Sequence, residues 1–336
     1  MAENNANNKS ILGSDTKIEV QETTEKQQQE QQIDTSDETD VDVQDEIDDT
    51  TTDRRIKGKA PLIVFIGPSG CGKSMVLMSL VEYLRGMPNY TIKVDKAYLK
   101  TKRYKGDCDR FEKILRLNAN KESSEQRDAL PGTVREFMVN ILKGNILKYR
   151  MLEVPGEHFF SYDKNTTKAK KTMAPYLKNV ILNKSRMDEY PIYFVMLLDL
   201  HTNKEEFLGS TTKRCAYEER LIEIYENGFN KKRGDRIVLL YNKFDERNTE
   251  DYGKEEEIKY LENLLKNYYS KIKRKLSRDV FGLVQTPIYK ILPYISGENF
   301  MEINEEETKY NSTQISENCA KRLWDCLTQK KWQIWL

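Results

Sequence analysis

The chain has 336 residues, of which 38% are hydrophobic and 32% are charged, and its formal net charge is +1. It contains no run of about 18 consecutive apolar residues, so we expect no transmembrane helix, and its N-terminus does not resemble a secretory signal. The charge is divided unevenly, because the first 55 residues hold 16 acidic and 5 basic side chains whereas the rest hold 38 and 50.

Residues 1–55 form an acidic arm that lacks aromatic side chains and has few apolar ones. We expect disorder there, because such a segment cannot bury enough surface to offset its chain entropy. The open alternative is an autoinhibitory or partner-binding tail that folds back on the basic body.

The dispersed cysteines lack CxxC spacing, which fits reduced thiols in a cytoplasmic protein rather than a zinc site. They are Cys71, Cys108, Cys215, Cys319 and Cys326.

From residue 56 onward, short apolar runs alternate with charged stretches, which predicts one α/β domain over 56–336. The predicted strands are 60–67, 135–144, 149–154, 191–200, 236–245 and 286–295. The predicted helices are 73–86, 254–276 and about 312–330. The stretch 87–130 has weak apolar periodicity, and we interpret it as an insertion. This order favours a mostly parallel, doubly wound sheet flanked by helices.

The loop after the first predicted strand reads GPSGCGKS over residues 67–74, a complete G-x-x-x-x-G-K-S motif. Its glycines permit close approaches that a Cβ would block, so its amides can converge on phosphate oxygens. We expect Lys73 to contact the β- and γ-phosphates and Ser74 to offer its hydroxyl to Mg²⁺. The expected nucleotide contacts are Gly67, Ser69, Gly70, Cys71, Gly72, Lys73 and Ser74. The motif predicts a P-loop NTPase sheet but does not choose the nucleotide, since transporter ATPases and nucleotide kinases have similar loops.

A second motif follows the predicted strand at 236–245, which ends in Asn242, Lys243 and Asp245. Here the chain resembles the P-loop GTPase family of the TRAFAC type, whose N-K-x-D motif occupies this place. The resemblance implies that Asp245 accepts hydrogen bonds from the guanine ring N–H and amino group, which adenine cannot supply. Ser296 then resembles the S-A-K-type loop that packs over guanine, although Gly297 and Glu298 depart from that pattern.

The strand at 149–154 runs into E-V-P-G, where the family has D-x-x-G. The resemblance implies that Glu153 acts on Mg²⁺ through water and that Gly156 offers its amide to the γ-phosphate. It also implies that a threonine completes the Mg²⁺ coordination, and Thr133 lies 20 residues before Glu153, with Thr91 and Thr101 as alternatives. Because Glu is one methylene longer than Asp, the geometry around the metal is expected to differ.

The two residues after Gly156 are the candidates for orienting the attacking water, as in many members of the family. Glu157 follows directly but adds negative charge beside the γ-phosphate, which should slow hydrolysis. His158 lies one place away from the catalytic His of translational GTPases. The alternative is a polar loop that leads into Phe159 and Phe160, which would dock on the core.

Taken together, these motifs indicate a GTPase that binds GTP or GDP with Mg²⁺ and acts as a molecular switch with a protein effector or activator. Two alternatives stay open, a GTP-binding scaffold with negligible hydrolysis and a P-loop ATPase or kinase.

The basic clusters at 168–171 and 271–278 could face nucleic acid or an anionic membrane, but a solvated helix face is the simpler interpretation of the second. The PGEHF run with GPSG is also similar to the double-GTPase-like proteins of bacterial conflict and signalling systems. The sequence does not indicate an oligomeric state.

Overall fold

The structure is a computed structural model, and it describes most of the chain beyond the acidic arm. The described residues are 56, 58–121, 126–130, 134, 136–162, 169–170, 173–182, 190–198, 211–242, 254–280, 284–295, 298–302, 308–311 and 314–329.

The described residues form strands and helices that alternate along most of the chain. The strands are β1 (Leu62–Ile66), β2 (Tyr90–Val94), β3 (Arg127–Asp128), β4 (Phe137–Lys143), β5 (Ile146–Glu153), β6 (Ser161–Tyr162), β7 (Ala169–Lys170), β8 (Ile192–Leu198), β9 (Arg236–Tyr241), β10 (Ser277–Val280), β11 (Val284–Pro287), β12 (Lys290–Pro293), β13 (Glu298–Glu302) and β14 (Thr308–Asn311). The helices are α1 (Lys73–Gly86), α2 (Lys102–Ala119), α3 (Gly156–Phe159), α4 (Pro175–Ile181), α5 (Thr211–Gly228), α6 (Lys254–Tyr268), α7 (Ser270–Lys275) and α8 (Gln314–Thr328), with a 3₁₀ turn at Lys231–Arg233.

The main sheet has seven strands in the order β12-β9-β8-β1-β5-β4-β2. The strands from β12 to β5 are all parallel to their neighbours, whereas β4 and β2 are antiparallel additions beyond β5. Every residue of β1 and β8 is buried, as expected for strands covered by helices on both faces. The predicted α/β fold, a mostly parallel sheet flanked by helices, is confirmed.

The helices bury apolar stripes against this sheet. In α1, Leu77, Leu80, Val81 and Leu84 recur at helical spacing and are completely buried. The closing helix α8 packs against α1, and its Leu323, Trp324 and Leu327 are buried. None of the described helices combines the length and the apolarity that crossing a membrane requires.

Two stretches differ from the simple strand-and-helix prediction. The predicted strand at 286–295 is divided, because β11 ends at Pro287 and pairs with β10 in a hairpin, while only β12 joins the main sheet. Proline cannot donate to a strand ladder, so a division at Pro287 has a local cause. Within 87–130, β2 forms the edge of the main sheet and α2 buries Tyr104 and Phe111.

Candidate functional site

The phosphate loop joins the carboxyl end of β1 to the first turn of α1, and its glycines are required by its geometry. Gly70 and Gly72 have φ values of 77° and 86°, in the left-handed region that side chains with a Cβ disfavour. A Cβ on Gly72 would lie 2.2 Å from Asn242 Nδ2, and one on Gly67 would lie 2.4 Å from Cys71 Sγ. The loop therefore keeps the tight backbone that a phosphate cradle needs.

Three polar side chains meet where this loop enters α1. Ser74 Oγ donates a 2.7 Å hydrogen bond to Glu153 Oε1 at the end of β5, and Lys73 Nζ donates a 3.0 Å bond to the Pro68 carbonyl oxygen. Lys73 and Glu153 are both buried. Burial raises the pKa of Glu153 to about 7, although the Lys73 ammonium and the Ser74 hydroxyl both act to lower it. The cluster thus joins an ammonium, a hydroxyl and a carboxyl group in a space shielded from water.

The oxygens of Ser74 and Glu153 fit a Mg²⁺ ion. The second carboxylate oxygen of Glu153, Oε2, is buried and has no hydrogen-bond partner among the described residues. A buried polar atom without a partner is costly, and a cation or its bound water would satisfy it. Mg²⁺ takes hard oxygen ligands and commonly has few from the protein, the remainder being waters and phosphate oxygens. Within the described ranges no group of three or more His, Cys, Asp or Glu residues could hold a metal by itself.

The N-K-x-D sequence begins beside the phosphate loop. Asn242 follows the last residue of β9, is 3% exposed, and its Nδ2 donates a 2.9 Å hydrogen bond to the Cys71 carbonyl oxygen. Its Oδ1 is buried and has no hydrogen-bond partner among the described residues. Lys243, Asp245 and Ser296 lie outside the described residues. The structure thus brings Asn242, the first residue of the N-K-x-D sequence, against the loop.

The segment after β5 also lies against the loop. A Cβ on Gly156 would lie 2.2 Å from the Ser69 amide nitrogen and 2.3 Å from the Pro68 carbonyl carbon. The backbones therefore touch, which is possible only because residue 156 has no side chain. This contact places an amide-bearing segment at the mouth of the phosphate cradle.

Glu157 and His158, the two candidates for orienting water, have different surroundings. Glu157 is exposed to solvent. His158 Nδ1 lies 2.7 Å from the Tyr176 hydroxyl of α4, and the two rings make an edge contact. Ala174 N also donates to the His158 carbonyl oxygen at 3.0 Å, so His158 is tied to the start of α4. The phenylalanines that follow are buried, as the alternative interpretation of this loop expected.

The predicted switch threonine, Thr133, lies outside the described residues, as do its neighbours 131–132. The described chain resumes fully at Glu136, whose N–H donates a 3.2 Å bond to the Asp107 carboxylate of α2. Thr91 is an exposed residue of β2, and Thr101 caps α2 by accepting from the Tyr104 N–H. A metal role for Thr101 therefore competes with its cap.

Tyr217 is a residue of the site that the sequence did not reveal. Its buried hydroxyl donates a 2.8 Å bond to the Leu197 carbonyl oxygen and lies 3.4 Å from that of Ile66, the residue before the loop. The ring of Phe160 makes an edge contact with the Tyr217 ring at a centroid distance of 5.5 Å. Tyr217 thus connects the segment after β5 to the base of the loop. A tyrosine within a helix gives no sequence signal of such a contact.

The basic cluster at 271–278 is largely neutralised by acidic side chains. Three of its lysines lie within 2.5–3.0 Å of carboxylates on α5 or α6. The pairs are Lys271 with Glu219, Lys273 with Glu262, and Lys275 with Glu226. This pairing favours the solvated helix face over a nucleic-acid surface. The side chains of 168–171 lie outside the described residues.

Comparison with known proteins yields matches among solved structures alone. No protein-family profile and no curated protein matches the sequence. Similar structures include the signal recognition particle receptor complex SRb-GTP/SRX from Chaetomium thermophilum, with 13% identity over 74% of this chain and 95% of that chain and a TM-score of 0.35. The septin GTPase domain from Chlamydomonas reinhardtii has 12% identity over 82% of this chain and 93% of that chain, with a TM-score of 0.33.

A third similar structure, nucleolar GTP-binding protein 1 from Plasmodium falciparum, has 11% identity over 72% of this chain and 80% of that chain, with a TM-score of 0.32. Each of the three is named as a GTPase or as a GTP-binding or GTP-bound protein. Identities and TM-scores this low transfer no residue role. The strand order and the loop geometry of the chain itself show a mostly parallel α/β sheet with a tight glycine-containing loop between β1 and α1.

The buried carboxyl group of Glu153 predicts a pH-dependent stability of the metal-free protein. Because its pKa is about 7 in the fold and 4.5 as the ordinary value, the native state retains a proton that the unfolded state loses between these pH values. The free energy of unfolding should therefore fall as pH rises from about 4.5 to 7. Glu153→Gln should remove this fall and be the more stable protein at pH 8, as measured by urea unfolding in chelator. Glu219→Gln, at an exposed side chain, controls for the lost charge. Equal pH slopes in wild type and Glu153→Gln would contradict the prediction.

The close contact of Gly156 with the loop predicts a large cost for a single methyl group. Gly156→Ala should lower the free energy of unfolding by about 1–3 kcal/mol, because the two backbones must separate. Gly106→Ala is the matched control, since its Cβ meets nothing within 4 Å in α2 and should stabilise the protein by about 0.5–1 kcal/mol. Both values come from chemical denaturation. If Gly156→Ala and Gly106→Ala shift the free energy of unfolding in the same direction, the contact between Gly156 and the loop is not structural.

Proposed function

We propose that this protein binds GTP with Mg²⁺ and acts as a molecular switch that hydrolyses GTP to GDP and phosphate. The observation that carries the proposal is the pair of hydrogen bonds that meet at the phosphate loop. Ser74 bonds to Glu153, which lies at the end of β5. Asn242, which directly follows β9, bonds to Cys71 in the loop. Both bonds reach the same loop, which supports a site where this loop would bind phosphate, Glu153 would act on the metal and the segment that begins at Asn242 would contact the base.

Phosphate binding follows from groups already in place. Lys73 Nζ, which now donates to the Pro68 carbonyl oxygen, would exchange that acceptor for the β- and γ-phosphate oxygens. Loop amides and the N-terminus of α1 add positive potential around the same oxygens. Ser74 and Glu153 would hold the metal, which when bound neutralises charge on the β- and γ-phosphates. Gly156, whose backbone touches the loop, would offer its amide to the terminal phosphate.

Selection of guanine is assigned to Asp245, three residues beyond Asn242. A carboxylate there can accept two hydrogen bonds from guanine, and it would lack both donors opposite adenine. An unpaired buried carboxylate costs about 1–3 kcal/mol or more, which is enough for a strong preference. Asn242 supports this assignment, because its bond to the loop fixes the first residue of the motif beside the phosphates.

Hydrolysis is expected to be slow in the isolated protein. The loop GPSGCGKS contains no arginine that could stabilise the transition state, a contribution worth about 10³–10⁵ in rate. Glu157 can hold a water but brings a negative charge toward the γ-phosphate. A protein partner that supplies a cation would therefore accelerate the reaction, with Thr133 and the segment after Gly156 as the switch regions.

A GTP-binding scaffold is the second candidate, and the position of His158 favours it. The Tyr176 hydroxyl occupies His158 Nδ1, and α4 holds its carbonyl oxygen. Holding the loop against α4 is a structural role for His158 that requires no water activation. In a scaffold, nucleotide binding alone would order the switch segments.

Nucleotide specificity tests the binding proposal. In Mg²⁺, the wild-type protein should bind GTP and GDP analogues at least about 100-fold more tightly than ATP analogues. Asp245→Asn should weaken GTP binding by at least about tenfold and favour the xanthine nucleotide, because the amide reverses one hydrogen bond. Asp109→Asn changes the same group at an exposed site of α2 and should leave both affinities unchanged. Equal affinities of the wild type for ATP and GTP would indicate the ATPase or kinase alternative instead.

Single-turnover hydrolysis separates the switch from the scaffold. A slow intrinsic GTPase should convert bound GTP at roughly 10⁻⁴–10⁻² s⁻¹. Glu157→Gln should raise this rate, since it removes a charge beside the γ-phosphate while keeping a group that can hold water. If the wild-type rate is negligible and Glu157→Gln does not change it, the scaffold is correct. A pure protein as fast as a partner-assisted enzyme would refute both.

A further inference from the structure

The outer edge of β2 is an open edge of the main sheet. β2 is the last strand in the sheet order, and within the described part of the chain no strand pairs with its far side. An edge strand presents unpaired N–H and C=O groups, which are a template for another strand. β2 contains no proline, and its one charged residue is Lys93. The residue types of β2 therefore permit it to pair with another strand.

The hydrogen bonds to β4 show which residues of β2 face outward. Gly144 N donates to the Asn89 carbonyl oxygen, and Asp95 N donates to the Met138 carbonyl oxygen, each at 2.8 Å. In an antiparallel pair the residues that bond to the neighbour alternate along the strand. Since positions 89 and 95 bond to β4, positions 91 and 93 also face it.

The backbone groups of Tyr90, Ile92 and Val94 therefore point away from the sheet. The Tyr90 N–H already bonds to the Met87 carbonyl oxygen at 3.4 Å, so the outward groups of Ile92 and Val94 are the more available ones. The side chains alternate as well, since those three residues pack partly against the core and Thr91 and Lys93 are exposed. An added strand would thus meet an apolar row on one face and a polar row on the other.

We propose that β2 pairs with β2 of a second copy of this chain, antiparallel and centred on Ile92, so that two sheets become one. In this register Ile92 faces the partner's Ile92, and Tyr90 faces the partner's Val94. The outward N–H and C=O groups of Ile92 then bond to the partner's Ile92, and the Val94 N–H bonds to the carbonyl oxygen of the partner's Tyr90, whose own N–H would have to leave Met87 to complete the pair. Pairs of aromatic and β-branched side chains are the favourable cross-strand contacts.

The charges select this register and favour a second copy. Thr91 faces the partner's Lys93, so no like charges are opposed. A register centred on Lys93 would place the two ammonium groups opposite each other, which is destabilising. A register centred on Thr91 would leave Val94 without a partner. A two-fold axis also makes the contact self-complementary, as closed dimers require.

Concentration-dependent assembly tests the proposal on the full chain. Sedimentation velocity should show a monomer–dimer equilibrium, because five residues a side bury less than a permanent interface does. Ile92→Lys should raise the dissociation constant at least about tenfold, since it opposes two like charges at the two-fold axis. Ile146→Lys, at an exposed position of β5, is the matched control and should leave the constant unchanged. The proposal is overturned if the protein stays monomeric at every concentration. The β2 edge would then be covered by a segment of the same chain or left uncovered.

Disulfide crosslinking tests the register even if Ile92→Lys fails to fold. Thr91 and the partner's Lys93 would form a non-hydrogen-bonded pair with Cα atoms about 4.5 Å apart, within the range of a disulfide. Thr91→Cys mixed with Lys93→Cys should therefore form a crosslinked dimer on mild oxidation. Either variant alone should not, because identical positions lie on a diagonal about 7–8 Å apart. Crosslinking of a single variant, of the wild type with its own cysteines, or of none of the samples overturns this register.

Discussion

The hydrogen bond between Ser74 and Glu153 is the contact on which the site depends. It joins the first turn of α1 to the end of β5, and it does so through a carboxyl group that is buried. Burial favours the neutral acid, whereas the Lys73 ammonium and the Ser74 hydroxyl favour the carboxylate and so lower its pKa. In the proposed function, a bound Mg²⁺ would also favour the carboxylate.

The segment after β5 is held near this cluster at several points. Gly156 touches the loop backbone, Phe160 contacts Tyr217, and Tyr217 bonds at the base of the loop. His158 adds a connection to α4. A change at the phosphate end therefore cannot be absorbed by one flexible turn. It must displace a packed unit, and packed units have discrete arrangements rather than continuous ones.

Much of this architecture could be predicted, and the gaps have physical causes. The parallel strands were visible because burial on both faces makes them continuous apolar runs, as in β1 and β8. β2 was hidden because its alternation extends over only five residues. The loop motif located Lys73 and Ser74, since phosphate chemistry fixes both residue type and spacing. Tyr217 could not be found, because its contact depends on the packing of a helix distant in sequence. Thr133 and Asp245 stay predictions.

The antiparallel strand β4 connects the candidate site to the edge of the sheet. Phe137, its first residue, pairs with Glu153, and two residues later Val139 pairs with Val94 of β2. The Tyr104 hydroxyl of α2 accepts from the Met138 N–H and donates to the Asp95 carbonyl oxygen, so one side chain holds both strands. A second copy paired at β2 would stiffen the strand that lies beside Glu153. Assembly and nucleotide binding would then bias the same two strands, and linkage requires that each affect the other to the same extent.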